Sequence, residues 1–516
     1  MRRTRMAVSS FFLLVISVVW LCSPLSSHNI GFTAVTFLIF NRIVGTGIFA
    51  TPALILRSAG SIGGSLVLWI IGAAYAAAGT AVYVELGTAL PQSGGEKVYL
   101  SATWPQPRFL VSSAYAAYAT LFGWSAANSV VCSEYLLHAL GVPWNSWNVR
   151  VLATVCLTSI AVLHGVSVRW GVRLQNVLGV FKLLALAAVG VAGVAIITGL
   201  SRVPPARDNF RRPFEGTTTD ANAIGNGLYK VVWCEKSIGY SNANSALGEV
   251  RNPVRTLKGA APLALSAVCA LYVAINMAYF SAVPKDDILR GGTTVAALFF
   301  RLVLGEAAEK VLSILIAISA YATVLSVMFA HSRINQAIAQ DGIVPFARTI
   351  ATTGSWGTPL GAILVQYLVS LVIIVAAPPG DAYNLIINVV SYPLAVVNLF
   401  ISIGLLRLRA TKEANGEPKW SPPYRAGTSV VVFFAVGNGF LSFAPLIPPA
   451  DGAEPYQSLP YWLHVAIGLT VFALGVLYWL AWRIVLPYFG RYRLTEKQVI
   501  LPNGQRVLSF TKEPAS

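Results

Sequence analysis

Two short stretches of glycine and small polar residues stand out in a sequence that is otherwise mostly apolar. The first is Gly45-Thr46-Gly47, followed by Ile48 and, four residues later, by Pro52. Glycine permits backbone conformations outside the helix, and a helix that restarts after a break points free N–H groups and its positive dipole end at the gap. Gly45 to Ile48 therefore predict a site for a carboxylate. The alternative is that these small residues serve tight packing between helices.

The second stretch begins at Gly239 and continues with Tyr240, Ser241, Asn242 and, two residues on, Asn244. Unwinding at Gly239 would free backbone carbonyl oxygens, which suit an ammonium group, and the polar side chains would add contacts. A carboxylate site facing an ammonium site selects an α-amino acid. For Asn242 and Asn244 the alternative is hydrogen bonding between helices.

Several charged residues lie inside or beside apolar stretches. Lys182 lies at the start of the fifth predicted helix, and an ionisable residue inside a membrane is a functional hypothesis because its burial is costly. The alternative is that the long lysine side chain extends its ammonium group to the membrane interface. Glu134, near the outer end of the third predicted helix, is a weaker candidate for a proton carrier.

Four further charges are candidates for a gate, because they fall near predicted cytoplasmic helix ends where ion pairs could close the inward path. They are Arg42, Glu85, Glu249 and Arg333. The alternative for each is an interfacial charge that helps to orient the protein.

The composition identifies the kind of protein that must position these residues. Of 516 residues, 56% are hydrophobic and only 11% are charged, whereas a soluble domain carries roughly 25% charged residues. A soluble multidomain protein is excluded. The net charge is +17. The basic residues lie between apolar blocks and do not form a cluster with interleaved aromatic residues, so no nucleic acid is expected as a partner.

The apolar sequence divides into membrane spans, since about 20 apolar residues cross the roughly 30 Å hydrocarbon layer as a helix. Two stretches are interrupted by charge and glycine, 30–57 and 223–248. Ten stretches are free of charge: 58–84, 109–133, 151–168, 183–201, 259–284, 311–332, 349–380, 382–406, 426–450 and 455–482. Together they predict an all-α membrane protein with twelve transmembrane helices.

The interrupted stretches are the first helices of two five-helix blocks, 30–199 and 223–408. Transporters built from inverted repeats have broken helices at matching positions, with the substrate between them near the membrane midplane. The spacing therefore predicts a five-plus-five inverted repeat with broken helices 1 and 6. Helices 11 and 12, in 426–489, complete a permease domain over 30–489, and 490–516 form a cytoplasmic tail.

The distribution of Lys and Arg predicts the orientation. With an even number of spans and the N-terminus inside, the inner segments hold 23 of these residues and the outer loops 9, so both termini are predicted to be cytoplasmic. Residues 1–29 have the form of a secretory signal peptide, with three arginines before an apolar run, and cleavage there would invert this count. We interpret them instead as an interfacial or surplus segment, or as an error in the predicted gene.

Other classes of membrane protein fit the sequence less well. All cysteines lie in apolar segments, so no disulfide-linked heavy chain is expected. The histidines are scattered and no metal-site or nucleophile motif is present, which argues against an enzyme and against a cofactor or metal. A membrane sensor would need a sizeable cytoplasmic extension, and paired broken helices favour alternating access over a channel.

Several motifs carry a resemblance to a known family. The sequence is similar to the amino acid, polyamine and organocation transporter superfamily and, within it, to the fungal L-type amino acid transporters that include the high-affinity methionine permeases. The similarity covers about residues 30 to 490. The matching stretches are Asn41–Pro52, Tyr83–Gly87, Pro91–Leu100, Gly239–Asn244, Glu249–Lys258, Ser332–Asn335 and Asp341–Pro345.

The resemblance implies a LeuT-like fold that imports neutral amino acids by alternating access, with methionine as the best single substrate. It implies that backbone amides of Gly45 to Ile48 bind the α-carboxylate and that Gly239 with its neighbours binds the amino group. Lys182 lies where sodium-coupled members bind their ion, which implies sodium-independent and proton-coupled transport in the plasma membrane. Exchange, a broader substrate range and a transporter-like sensor stay open. Glu235 and Lys236 depart from the family pattern, which puts the side-chain pocket in question.

Overall fold

The computed structural model describes residues 30–122, 125–143, 145–236, 239–290, 295–354, 356–376, 382–411, 420–448, 459–501 and 506–514. In these ranges the chain is mostly helical, with one antiparallel two-stranded sheet near its end. The predicted N-terminal segment 1–29 lies outside them.

The first predicted block contains nine of the described helices, and a short helix follows it. They are α1 (Phe32–Ile43), α2 (Gly47–Ala50), α3 (Pro52–Ala59), α4 (Ile62–Ala89), α5 (Glu96–Thr103), α6 (Leu110–Phe122), α7 (Ala126–Leu140), α8 (Ser146–Val166), α9 (Val168–Ile197) and α10 (Asp208–Arg211).

The remaining described helices cover the second block and the C-terminal part. They are α11 (Ala221–Lys236), α12 (Gly239–Asn244), α13 (Pro253–Ala282), α14 (Lys285–Arg290), α15 (Val295–Leu304), α16 (Ala308–Gln340), α17 (Ala347–Ala351), α18 (Leu360–Ala376), α19 (Ala382–Ala410), α20 (Thr428–Phe443), α21 (Leu463–Leu480) and α22 (Leu486–Gly490). Short 3₁₀ turns (Leu247–Glu249, Gly305–Ala307, Ala444–Leu446), one π turn (Ala481–Val485) and strands β1 (Tyr492–Ile500) and β2 (Arg506–Pro514) complete the structure.

Nine helical segments among the described residues are long and apolar enough to cross a membrane. The chain is therefore an all-α membrane protein, as predicted. The other three predicted spans are shorter or interrupted. The stretch 109–133 is not one helix but the pair α6 and α7, 223–248 is the pair α11 and α12, and 349–380 contains α18 of 17 residues.

The predicted interruption of the first helix is confirmed, whereas that of the sixth falls on residues outside the described part of the chain. α1 ends at Ile43 and α2 begins at Gly47, while α11 ends at Lys236 and α12 begins at Gly239. Residues 237 and 238, between the latter two, lie outside the described part of the chain.

Polar caps set where several helices begin, and one of them corrects a prediction. Ser167 lies just before α9, and its hydroxyl accepts a hydrogen bond from the amide of Trp170 at 3.4 Å, the usual role of an N-terminal cap. The fifth long helix thus begins at Val168, so Lys182 lies in its middle and not at its start. The sequence places Lys182 at the helix start only because the charge-free run begins there.

The C-terminal tail is more ordered than predicted. β1 and β2 pair in register from Tyr492 with Pro514 to Ile500 with Arg506. Glu496 forms ion pairs with Arg108 at 2.5 Å and Arg483 at 3.8 Å, which fixes this hairpin against the helices. The segment 490–516 is therefore partly a packed element of the fold.

Candidate functional site

The break in the first helix separates backbone groups that are paired from groups that are not. The amides of Gly45, Thr46, Gly47 and Ile48 have no hydrogen-bond acceptor among the described residues. Helical bonds continue across Thr51, whose amide donates to Gly47 O at 2.8 Å. Because α2 and α3 thus act as one helix, its N-terminal dipole end and the free amides point into the gap.

The carbonyl oxygens on the other side of the break are occupied by Lys182. Its Nζ donates to Val44 O at 2.6 Å, to Thr323 Oγ1 at 3.3 Å and to Asn41 O at 3.4 Å. The side chain is buried, with 3% exposure. The lysine therefore does not reach the membrane interface, and its ammonium group lies at the break itself.

Two hydroxyl groups of α16 complete this arrangement. Ser319 Oγ donates to Gly45 O at 3.2 Å, and Thr323 Oγ1 contacts Asn41 O at 3.1 Å. Sequence reasoning missed both residues. The available signal is their spacing of one helical turn in an apolar helix, which is too common to single them out.

The second broken helix approaches the first very closely at Gly239. A Cβ atom there would overlap the Ile43 side chain and lie 3.0 Å from Ile39 O. Glycine at this position therefore permits contact between α1 and α12. The side chains of Tyr240, Glu235 and Lys236 lie outside the described part of the chain.

The polar residues of α12 are engaged with other helices. Asn242 Nδ2 donates to Leu38 O at 3.1 Å and to Ser326 Oγ at 2.8 Å, and Asn244 Oδ1 accepts from Tyr99 at 2.6 Å. In this conformation both asparagines thus have the interhelical role that the sequence left open as the alternative. Ser241 is buried and hydrogen-bonded to the Glu96 carboxylate.

Glu249 and Arg333, two of the four gate candidates, form an ion pair. Arg333 Nε lies 2.8 Å from Glu249 Oε1 and Nη2 lies 3.3 Å from Oε2, so the contact is bidentate. The Glu249 carbonyl also accepts from the amide of Ile30 at 2.8 Å. This one residue therefore joins the start of the first helix, the end of the sixth and the C-terminal part of α16.

Glu85 has a different partner from the other candidates. It is fully buried and binds the Arg409 guanidinium, the Trp420 indole N–H at 3.1 Å and the amide of Ala426 at 2.8 Å. Every one of these groups is an N–H donor, so the carboxyl oxygens of Glu85 act as acceptors in all these contacts. Arg409 was not predicted, since it lies far away in the sequence.

Arg42 is not near a cytoplasmic helix end, contrary to the prediction. It lies in the last turn of α1, beside the break, and the ten residues from Phe32 correspond to about 15 Å of helix. Its Nε is buried without a hydrogen-bond partner among the described residues. It interacts electrostatically with Glu96 and Tyr118.

Sequence reasoning also missed a pair of charges at the start of α5. Glu96 is 2% exposed, and Lys97 forms an ion pair with Asp341 at 2.6 Å. Nearby, the Gly248 amide donates to Ser93 Oγ at 3.0 Å. These residues belong to or adjoin the motif stretches of the sequence analysis, so the motifs meet at one end of the molecule.

The opposite end contains a cavity of about 700 Å³. Phe49, immediately after the free amides, lines it together with Glu134 and Glu309. His138 and Glu309 lie 3.5 Å apart at this cavity. A second cavity, of about 590 Å³, lies between Gly31 and Arg251, close to the Glu249–Arg333 pair.

Comparison with known proteins identifies the family. A family model described as amino acid permease matches residues 30–472. The chain belongs to this family. The high-affinity methionine permease of Saccharomyces cerevisiae is 38% identical over 477 residues, which cover 92% of this chain and 83% of that protein.

Two further relatives extend the similarity. The low-affinity methionine permease of the same yeast is 29% identical, over 94% of this chain and 88% of its own length. The b(0,+)-type amino acid transporter 1 of Mus musculus is 26% identical, over 88% and 89%. The resemblance proposed from the motifs is therefore confirmed, and the protein is an integral membrane permease and not an enzyme.

The close contact at Gly239 yields a stability prediction. Gly239→Ala should lower the unfolding temperature of the purified permease in detergent, because overpacking costs about 1–3 kcal/mol. Gly439→Ala is the matched control, since a Cβ there meets no atom within 4 Å. Equal unfolding temperatures of the two variants would contradict this explanation of Gly239.

Proposed function

We propose that this permease imports neutral L-amino acids, with methionine as its main substrate, by alternating access. The observation that carries the proposal is the break at Gly45 to Ile48, where four amides have no acceptor among the described residues while the carbonyls of Val44 and Gly45 are engaged. Unpaired N–H groups in a low-dielectric site are costly. A substrate carboxylate would satisfy them and meet the positive helix end.

The choice of methionine rests on the relatives, two of which are named methionine permeases. The third relative is named an amino acid transporter of another type, so the family as a whole does not fix the side chain. We propose methionine because the more similar two agree.

The proposed architecture is twelve transmembrane helices with a LeuT-like five-plus-five inverted repeat over 30–199 and 223–408. The break after Ile43 supports it, since it falls in the first helix of the first block. Helices 11 and 12 follow, both termini are cytoplasmic by the Lys and Arg distribution, and the plasma membrane is the proposed location.

We propose that Lys182 replaces a bound sodium ion. Its ammonium group is coordinated by the carbonyls of Asn41 and Val44 and by Thr323 of α16. Oxygen ligands from a broken helix and a neighbouring helix suit a sodium ion equally well. Transport is therefore sodium-independent, with protons as the coupling ion.

The pair Glu249–Arg333 is the proposed inward gate. The pair joins the start of the first helix and the end of the sixth to α16. Glu249 is 29% exposed, so water can compete for it when the helices separate, whereas Glu85 is fully buried. Glu249 is thus suited to a reversible contact, and Glu85 to a permanent one.

Uptake of labelled L-methionine into proteoliposomes tests the proposal directly. Excess unlabelled methionine should block saturable uptake, while methioninol, which lacks the carboxylate, should compete about 100-fold less well. The reason is that charged hydrogen bonds worth about 3 kcal/mol are lost. Equal competition by methioninol, or no saturable uptake, would refute it. Leucine, lysine and glutamate as further competitors define the range of side chains.

Replacement of Lys182 should strongly reduce transport. Lys182→Ala leaves the carbonyls of Asn41 and Val44 without their donor, so we expect methionine uptake to fall at least tenfold. Wild-type uptake should be unchanged when choline replaces sodium. Arg173→Ala, on the same helix but next to Trp170, is the control and should transport normally. A sodium requirement, or full uptake by Lys182→Ala, would contradict the proposal that Lys182 replaces a bound sodium ion.

The two buried carboxylate pairs should differ in their effects. Glu249→Gln should speed hydrogen exchange of the amides around Ile30, because loss of the ion pair with Arg333 loosens the segment whose backbone carbonyl accepts from Ile30. Glu85→Gln should instead lower the unfolding temperature, since removing one partner of a buried pair costs about 3–5 kcal/mol. Hydrogen-exchange mass spectrometry and thermal unfolding of both variants measure these two effects. Indistinguishable variants would contradict the division into gate and anchor.

A further inference from the structure

The carboxylate of Glu96 is buried against hydroxyl groups. Its Oε1 lies 3.2 Å from the Tyr83 hydroxyl and its Oε2 lies 3.3 Å from that of Tyr115, and the carboxylate is also hydrogen-bonded to Ser241 and to its own backbone amide. It forms no salt bridge within the described ranges, and it is 2% exposed. This carboxylate is therefore surrounded by neutral groups at contact distance.

Hydroxyl partners have a property that N–H donors lack. A hydroxyl can donate to a carboxylate and can also accept from a carboxylic acid, so both protonation states of Glu96 find hydrogen bonds. Glu85 is the internal contrast, because its donors on Arg409, Trp420 and Ala426 cannot accept. Of these two buried carboxylates, only Glu96 has surroundings that tolerate gain and loss of a proton.

The partners of Lys182 differ from those of Glu96, because most of them can only accept hydrogen bonds. Two of its three partners, Val44 O and Asn41 O, are carbonyl oxygens that can only accept, and they match an ammonium group with three donors. These contacts fix the Lys182 side chain at the break, where it bridges α1 and α16.

Glu96 touches both broken helices. Ser241 belongs to α12, and Arg42 in the last turn of α1 interacts with Glu96 electrostatically while its Nε lacks a partner within the described part of the chain. The free amides begin three residues after Arg42. Lys97, the next residue after Glu96, is 12% exposed and pairs with Asp341, so an aqueous surface is close.

We propose that Glu96 is the proton-binding site of this permease, taking up one proton with each imported amino acid and releasing it inside. The inference rests on the proposed proton-coupled import. The proton adds to a carboxylate oxygen and leaves from it as H⁺, with no other bond changed. Neutral Glu96 deprives Arg42 of its nearby negative charge, and the substrate carboxylate at Gly45 to Ile48 replaces it. Proton binding therefore favours substrate binding, and substrate binding favours proton binding.

Other titratable and polar groups lie around this carboxylate and its arginine on each packed element. They are Arg42 on α1, Tyr83 on α4, Tyr99 on α5, Tyr115 and Tyr118 on α6, Ser241 on α12, His331 on α16 and Asn398 on α19. His331 faces Arg42 and is the competing candidate for a pH-sensitive group.

Proteoliposomes with an imposed proton gradient test the proposal. With one proton per methionine, wild-type protein should accumulate labelled methionine up to about tenfold for one pH unit. Glu96→Gln should show no gradient-driven accumulation yet still exchange internal for external methionine. Glu96→Asp, which keeps a carboxyl group, and His331→Gln should both retain accumulation. Accumulation by Glu96→Gln, or its loss in His331→Gln alone, would overturn the assignment to Glu96.

A spectroscopic measurement covers the case in which Glu96→Gln does not fold. Methionine added to purified wild-type permease should produce an infrared difference band of a carboxylic acid, and the band should shift in Glu96→Asp. An unshifted band would overturn the proposal. Wild-type protein that transports methionine without any response to the gradient refutes proton coupling itself, whereas a normal wild type with an unaffected Glu96→Gln refutes only the role of Glu96.

Discussion

The centre of the molecule depends on the hydrogen bonds that the Lys182 side chain donates to carbonyl oxygens at the break in the first helix. A broken helix inside a membrane leaves both carbonyl and amide groups without partners, and each costs several kcal/mol there. Lys182, with Ser319 and Thr323 of α16, satisfies the carbonyls from within the protein. The amides from Gly45 to Ile48 have no such internal partner among the described residues. This asymmetry makes one side of the break structural and leaves the other for a ligand.

Three buried or partly buried carboxylates show how the donor set decides what an acidic residue can do. Glu85 is held by N–H donors alone. Glu249 has a bidentate arginine but some access to water. Glu96 meets hydroxyl groups, which accept as well as donate. The roles proposed for the three residues, as anchor, gate and proton site, follow these differences between their neighbours.

The sequence was sufficient for the features that local chemistry controls. Long apolar runs predicted the membrane helices, and glycine with charge predicted the break near Gly45. The sequence could not predict which charged residues form ion pairs, because Glu85 and Arg409 are brought together only by packing of distant helices. Arg42 was misplaced since a charge near an apolar run looks interfacial whether it lies at a helix end or at a break. The ordered hairpin after Arg491 lacked the apolar signal that marked the helices.

The contacts also indicate where the first helix can bend. The carbonyls of Asn41 and Val44 are tied to α9 and α16 through Lys182 and Thr323. The start of α1 is tied to the segment after α12 through two backbone hydrogen bonds, from Ile30 to Glu249 and from Arg251 to Ile30. Opening of the Glu249–Arg333 pair would loosen that segment and leave the Lys182 contacts intact. We therefore expect any bending of the first helix to occur at its break, beside the free amides.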